Sequence, residues 1–154
     1  MNTETQSVEN EYSQPRYRKV LDIKNNQIIG WFATRLNYTE NTFEVACSKL
    51  HRYDTQDSGL GKHIALMRLT RPEKADMSAL SLTVGYIFAI TNSDAIESIV
   101  GLNDTGATAF WNGILSHMTI RDLNAYAFDS VLEGLVAGIF GRGATIKGSP
   151  IHRQ

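Results

Sequence analysis

The chain has a single cysteine, Cys47, in 154 residues, so it cannot form an internal disulfide. Small secreted domains often rely on cysteine frameworks, and a lone thiol points instead to a reducing compartment. The first fifteen residues hold three acids, no base and no apolar run, which is not the pattern of a secretory signal. Long hydrophobic stretches are missing as well. The longest, Val84–Ile90 and Val131–Phe140, fall well short of the roughly 18 apolar residues of a membrane span, and Glu133 interrupts the second. The expectation is a cytoplasmic protein with no membrane partner.

No constellation of paired carboxylates, of Ser, His and Asp, of Cys and His, or of metal ligands stands at a recognisable spacing. The reading therefore leans away from an enzyme and calls for no cofactor and no metal. Catalysis assembled from residues distant in sequence leaves no such local trace.

What is present is an ordinary globular composition, 42% apolar and 20% charged, at a length that suits one domain. A domain of this size buries roughly 70% of its unfolded surface and needs no staple. The net charge of −1 is unevenly spread. Residues 1–15 contribute −3, residues 16–74 contribute +5 and residues 75–154 contribute −3. A basic first half suits a polyanionic partner, or equally a solvated strand face balanced by acidic helices.

Residues 1–15 read as a flexible N-terminal arm, with Val8 and Tyr12 its only large apolar side chains. From Tyr17 the pattern becomes β. Tyr17–Ile23 is a strand, and Lys24-Asn25-Asn26 is a turn, because Asn tolerates the left-handed conformation. Gln27–Leu36 is a second strand, apolar on both faces and so central. Asn37 to Asn41 turns again, and Thr42–Ser48 alternates, with Phe43, Val45 and Cys47 on one face. After a polar loop, Ser58 opens a helix running to about Leu69. Leu80–Thr91, β-branched and aromatic, reads as a fourth and deeply buried strand. Short helices follow over Ala95–Leu102 and Ala107–Met118. Thr119 opens a long helix to Phe140, closed by Gly141-Arg142-Gly143. Residues 144–154 form a tail. Strands first and helices last indicate α+β: one domain over 16–143, with an antiparallel sheet of about four strands and C-terminal helices packed on one face.

Two regions stand out as candidate sites. On the long helix, Ser130, Gly134 and Gly138 recur every four residues and stack into a ridge of small side chains, flanked by Ala127 and Ala137. Interior glycines cost about 1 kcal/mol each, so the ridge should serve close approach by another element. That element is either the chain's own sheet or helix, or the same helix of a second subunit. Self-association is the expectation on the second alternative.

The loop from Lys49 to His63 holds the densest set of reactive side chains. Gly59, Gly61, Lys62 and His63 at a helix start, with Arg52 nearby, resemble an anion cradle. The full phosphate-loop pattern fails, with Gln56 in place of its first Gly and His63 in place of Ser or Thr. His51, Asp54, Asp57 and His63 match no closed metal site, although His51 or His63 beside Asp54 or Asp57 has the composition of a general base. Lys49, Arg52 and Tyr53, with Trp31, Tyr38 and Phe43, offer the ingredients of a nucleic-acid stacking surface, or simply of core and sheet packing. His117 suits a helix end, and Cys47 alternates inward as an inert core thiol.

Residues 43–69, with Ala46-Cys47 on a strand, Asp54 and Asp57 in a loop and Gly61-Lys62-His63-Ile64-Ala65-Leu66-Met67-Arg68-Leu69 on a helix, resemble small proteins of phages and mobile elements. In those proteins a strand with Ala-x-Cys leads through an Asp-containing loop into a similar Gly-basic-x-Ile-Ala-Leu-x-Arg run. The resemblance implies a mobile-element origin and, with it, a small binding protein that inhibits a host factor in the host cytoplasm. The leading expectation is thus an oligomeric, non-enzymatic binding module with a protein partner. The alternatives are an enzyme or binder for a phosphorylated or nucleotide-like ligand, and a nucleic-acid-binding protein or virion component.

Overall fold

In a computed structural model, residues 11–50, 58–91 and 117–147 are described. They form five strands, β1 (Arg16–Asp22), β2 (Ile28–Asn37), β3 (Thr42–Lys49), β4 (Leu80–Thr83) and β5 (Ala144–Lys147), and three α-helices, α1 (Ser58–Thr70), α2 (Val84–Thr91) and α3 (Ala125–Ile139). All strand pairs are antiparallel, in the order β4-β3-β2-β1-β5.

The meander β1-β2-β3 is built by its asparagines. Asn26 and Asn41 sit in the left-handed region, at φ 60° and 59°, where a short polar side chain is tolerated best. The Asn25 and Asn37 side chains accept backbone N–H groups of Gln27 and Glu40, closing the two turns. Asn41 does more. Its Oδ1 accepts the Ile120 N–H and its Nδ2 donates to the Met118 carbonyl, which ties this hairpin to the C-terminal half of the chain.

Alternation along the strands divides the interior in two. Val20, Phe32, Leu36, Phe43 and Val45 face Val84 and Ile87 of α2 and Phe128, Val131, Leu132 and Val136 of α3. The Phe43 and Phe128 rings meet at 4.8 Å between centroids. On the other face, Ala33 and Ala46 meet Ala65 and Leu69 of α1. Small residues on both sides let that helix lie close to the sheet. Gly61 marks one close approach: a Cβ there would stand 2.9 Å from the Trp31 ring, and the Ser48 hydroxyl donates to the Gly61 carbonyl at 2.8 Å. The C-terminal helices thus occupy one face of the sheet, as the sequence indicates, and α1 occupies the opposite one.

Three sequence readings are corrected. Leu80–Thr91 is not one buried strand. It forms a short, mostly exposed edge strand over Leu80–Thr83 and then turns into α2. The Thr83 hydroxyl accepts the Tyr86 N–H at the helix start, and Val84 and Ile87 supply the buried side. The long helix does not begin at Thr119. Ile120–Asp122 is a single 3-10 turn, stabilised by the Thr119 N–H donating to the Asp122 carboxylate, and α3 restarts with Asn124 as its N-cap, accepting from the Ala127 N–H. The tail contributes β5, which pairs with β1 from Lys19↔Lys147 to Asp22↔Ala144. Gly141, at φ +90°, makes this return possible. Its N–H and that of Phe140 both reach the Val136 carbonyl, ending α3 and turning the chain back to the sheet.

Residues 11–13, expected in the arm, also lie on the sheet. Tyr12 bridges to Asn37, Ser13 bonds Leu36 through both backbone and side chain, and the Arg35 guanidinium covers the Tyr12 ring at 3.7 Å. The helix expected over 95–102 lies outside the described residues, as does that expected over 107–118 except for His117 and Met118, which are not helical. Among the described residues no helix is long and apolar enough to cross a membrane.

Candidate functional site

α3 positions the ridge found in the sequence. Its inner face, Ala127, Phe128, Val131, Leu132 and Val136, is buried in the larger core. A flanking ion pair fixes its rotation about its own axis. Arg18 Nη1 meets Asp129 Oδ1 at 2.6 Å, with the Arg18 side chain only 6% exposed, and Arg18 Nε donates to the Lys147 carbonyl of β5. With the inner face anchored in this way, Ser130, Gly134 and Gly138 fall on the outer side. Gly134 and Gly138 are exposed, and no described atom lies within 4 Å of a Cβ built on either. Ser130 turns its hydroxyl back to the Tyr126 carbonyl, so its outer surface is small and largely self-satisfied. Of the two expectations for this ridge, close approach to the chain's own sheet is not seen among the described residues. Tyr126, 68% exposed, stands as a large side chain at the N-terminal end of the ridge, with Ala137 and Glu133 beside it.

The residues of the expected anion cradle are dispersed. Gly59, Gly61, Lys62 and His63 all lie within α1, and Arg52 lies outside the described residues. Gly61 is spent on the contact with Trp31. The Lys62 ammonium leans over the Tyr17 ring at 4.4 Å and reaches Trp31 at 5.9 Å, a cation held on sheet aromatics. His63 lines a separate cavity of about 260 Å³ with Met67, Thr70, Arg71 and Lys74. Lys62 and His63 therefore do not converge on one ligand position. His51, Asp54 and Asp57 of the other loop readings lie outside the described residues. Among the described residues, no group of three or more His, Cys, Asp or Glu is placed to hold a metal ion.

The stacking aromatics are divided as well. Phe43 is fully buried under α3, Trp31 packs on the α1 side, and Tyr38 carries the Arg121 guanidinium at 3.6 Å. They form no common platform.

Sequence reasoning missed Arg68, Asp76 and the surroundings of Cys47. Arg68 Nη1 donates to the Cys47 carbonyl at 2.8 Å, and its Nε and Nη2 hold both Asp76 oxygens at 2.9 and 3.0 Å. The Arg68 hydrogen bond holds the Asp76 carboxyl below its ordinary value. Burial pushes the Cys47 thiol up, offset in part by the charges of Arg68 and Lys49. Arg68 sits in the last turn of α1, a favourable place for any cation. Nothing in its spacing distinguishes that ordinary role from the fork it forms.

No family model, curated protein or solved structure matches the chain. The geometry of its own residues is therefore the basis for any functional reading.

Proposed function

We propose that the chain is a non-enzymatic binding module that self-associates by laying the outer face of α3 against the same face of a second copy. The observation that carries this reading is the position of Gly134, interior to the helix, and Gly138, in its last turn, both open on the outside. Gly134 weakens α3 by about 1 kcal/mol relative to alanine, with no compensating contact from the described part of the chain. A backbone approaching from outside supplies that compensation, because only glycine lets two helix axes come so near.

The face is self-complementary. Tyr126 lies four residues before Ser130, so it continues the row of Ser130, Gly134 and Gly138 and puts a large exposed side chain at one end and a glycine at the other. In an antiparallel crossing of two such rows, Tyr126 of one copy comes beside Gly138 of the other, and the reverse, as a two-fold interface requires. The resemblance of residues 43–69 to small phage and mobile-element proteins supports a host protein as the further partner of the assembled form, which would act as its inhibitor.

Light scattering tests the association. The wild-type chain should show a species of about 34 kDa, twice the chain mass of 17.1 kDa, and Gly134→Leu should return it to one chain mass. A wild-type protein that stays at 17.1 kDa across the accessible concentration range refutes the reading.

A second reading, a binder of phosphorylated or nucleotide-like ligands, is favoured by one observation: His63, Arg71 and Lys74 line a single cavity. Nucleotides should then raise the melting temperature, and Arg71→Ala should abolish the rise. An unchanged melting temperature in the wild-type protein rules it out.

A further inference from the structure

A separate cavity opens where β4 stops short of β3. β4 pairs with Thr42 to Val45 only, so Ala46 to Lys49 continue past its end. The gap holds about 180 Å³ and is walled by Phe32, Val45, Cys47, Met77, Leu135 and Ile139. Apolar cavities of roughly 150 Å³ admit benzene, so there is room for a ring or a folded chain of about six to eight carbons.

Arg68 is the single charged residue of the lining. Its bond to the Cys47 carbonyl covers part of the bare β3 edge and fixes the guanidinium, which is 17% exposed. The remaining face of the fork is taken by Asp76, which is 71% exposed on the segment between α1 and β4. An ion pair with one partner fixed and the other in solvent is weak and readily exchanged. A second carboxylate presented from inside the cavity would meet the same two donors with its apolar body already out of water.

We propose that this cavity binds a small monocarboxylate with an apolar body, of the medium-chain fatty acid or arylalkanoate class. The tail lies between β3 and α3, and the carboxylate replaces Asp76 on Arg68. Affinity comes from the buried tail, and selection for an acid over its neutral analogues comes from the guanidinium.

Cys47, the sole thiol of the chain, reports occupancy. The full chain is labelled with iodoacetamide in the presence of sodium octanoate or octanamide. Octanoate should slow labelling saturably, and octanamide should need about ten times the concentration, as expected for loss of a charge-assisted hydrogen bond. Asp76→Asn removes the competing anion and should tighten octanoate about three- to fivefold, within the range of an exposed ion pair, while leaving octanamide unchanged. Met77→Trp, at an exposed position on the rim, should weaken both ligands with the circular dichroism spectrum intact. Equal protection by the two ligands with no response to Asp76→Asn overturns the proposal. So does the absence of protection by octanoate, including the case of a thiol already unreactive because the chain's own residues fill the cavity.

Discussion

Replacing Gly134 by leucine should change stability and association in opposite directions. The position is interior to α3, exposed, and without described neighbours within 4 Å of an added Cβ. A leucine there meets open space in the single chain and removes the conformational cost of glycine. The helix-propensity difference is about 0.8 kcal/mol in favour of leucine. With a urea m-value of about 2 kcal/mol/M, the midpoint should rise by about 0.4 M, and the melting temperature by about 2–3 °C for a chain of this length. Both are to be read at dilutions where only single chains exist. In the dimer the same side chain is driven into the opposing ridge twice, once from each copy. At about 1–3 kcal/mol per overpacked site, dissociation should strengthen at least about 30-fold. Urea titration and light scattering on the same variant give both numbers. A lower urea midpoint for the dilute variant would show that the ridge is already covered by its own chain, and unchanged association would show that it is not the interface.

Gly30→Ala should lower stability by about 2–3 kcal/mol, because the added Cβ would stand 2.5 Å from both the Ser48 carbonyl and the Phe140 ring; a urea midpoint equal to wild type would contradict the packing between β2, β3 and the end of α3. Asp129→Ala should cost about 2–3 kcal/mol, somewhat below a fully buried pair because Asp129 retains 27% exposure. The double variant Arg18→Met/Asp129→Leu should recover most of that loss in the same titration. The folded chain holds the Cys47 proton more tightly than the unfolded chain does, so this group's contribution is fully present below the ordinary thiol value and is lost as pH rises through the raised one. Urea midpoints for wild type should accordingly fall more steeply than those of Cys47→Ala between about pH 8 and 10.

The β-meander was legible because its signals are local. The turn asparagines and the period-two alternation of Thr42–Ser48 lie within a few residues of what they control. Leu80–Thr91 reads as one strand because the alternation of Leu80 to Thr83 runs on into β-branched and aromatic residues, and the apolar stretch Tyr86 to Ile90 carries neither a period of two nor one of 3.6. The sign of the switch was Thr83, a hydroxyl placed to cap the helix that follows. β5 escaped notice because Ala144–Lys147 is short and gains its structure only by pairing with β1, more than a hundred residues earlier. The ridge on α3 is visible as spacing, and the helical period of Phe128, Val131, Leu132 and Val136 marks the face it leaves free, but the Arg18–Asp129 pair that anchors the helix is encoded by no local pattern. The gathering of Lys62 and His63 into one anion site failed for a related reason. Neighbours on a helix point about 100° apart, and here Lys62 turns to the sheet while His63 turns to Arg71 and Lys74.

Disulfide trapping in solution tests the α3 interface most directly. Gly134→Cys in a Cys47→Ser background leaves one thiol per chain at the middle of the ridge. A disulfide requires Cα atoms within about 7 Å, a distance that two crossing glycine ridges reach and that separate chains meet only by collision. Mild oxidation should convert the variant to a covalent dimer far faster than a Lys74→Cys control in the same background. Equal rates for the two variants would contradict the assignment of this face to a second copy.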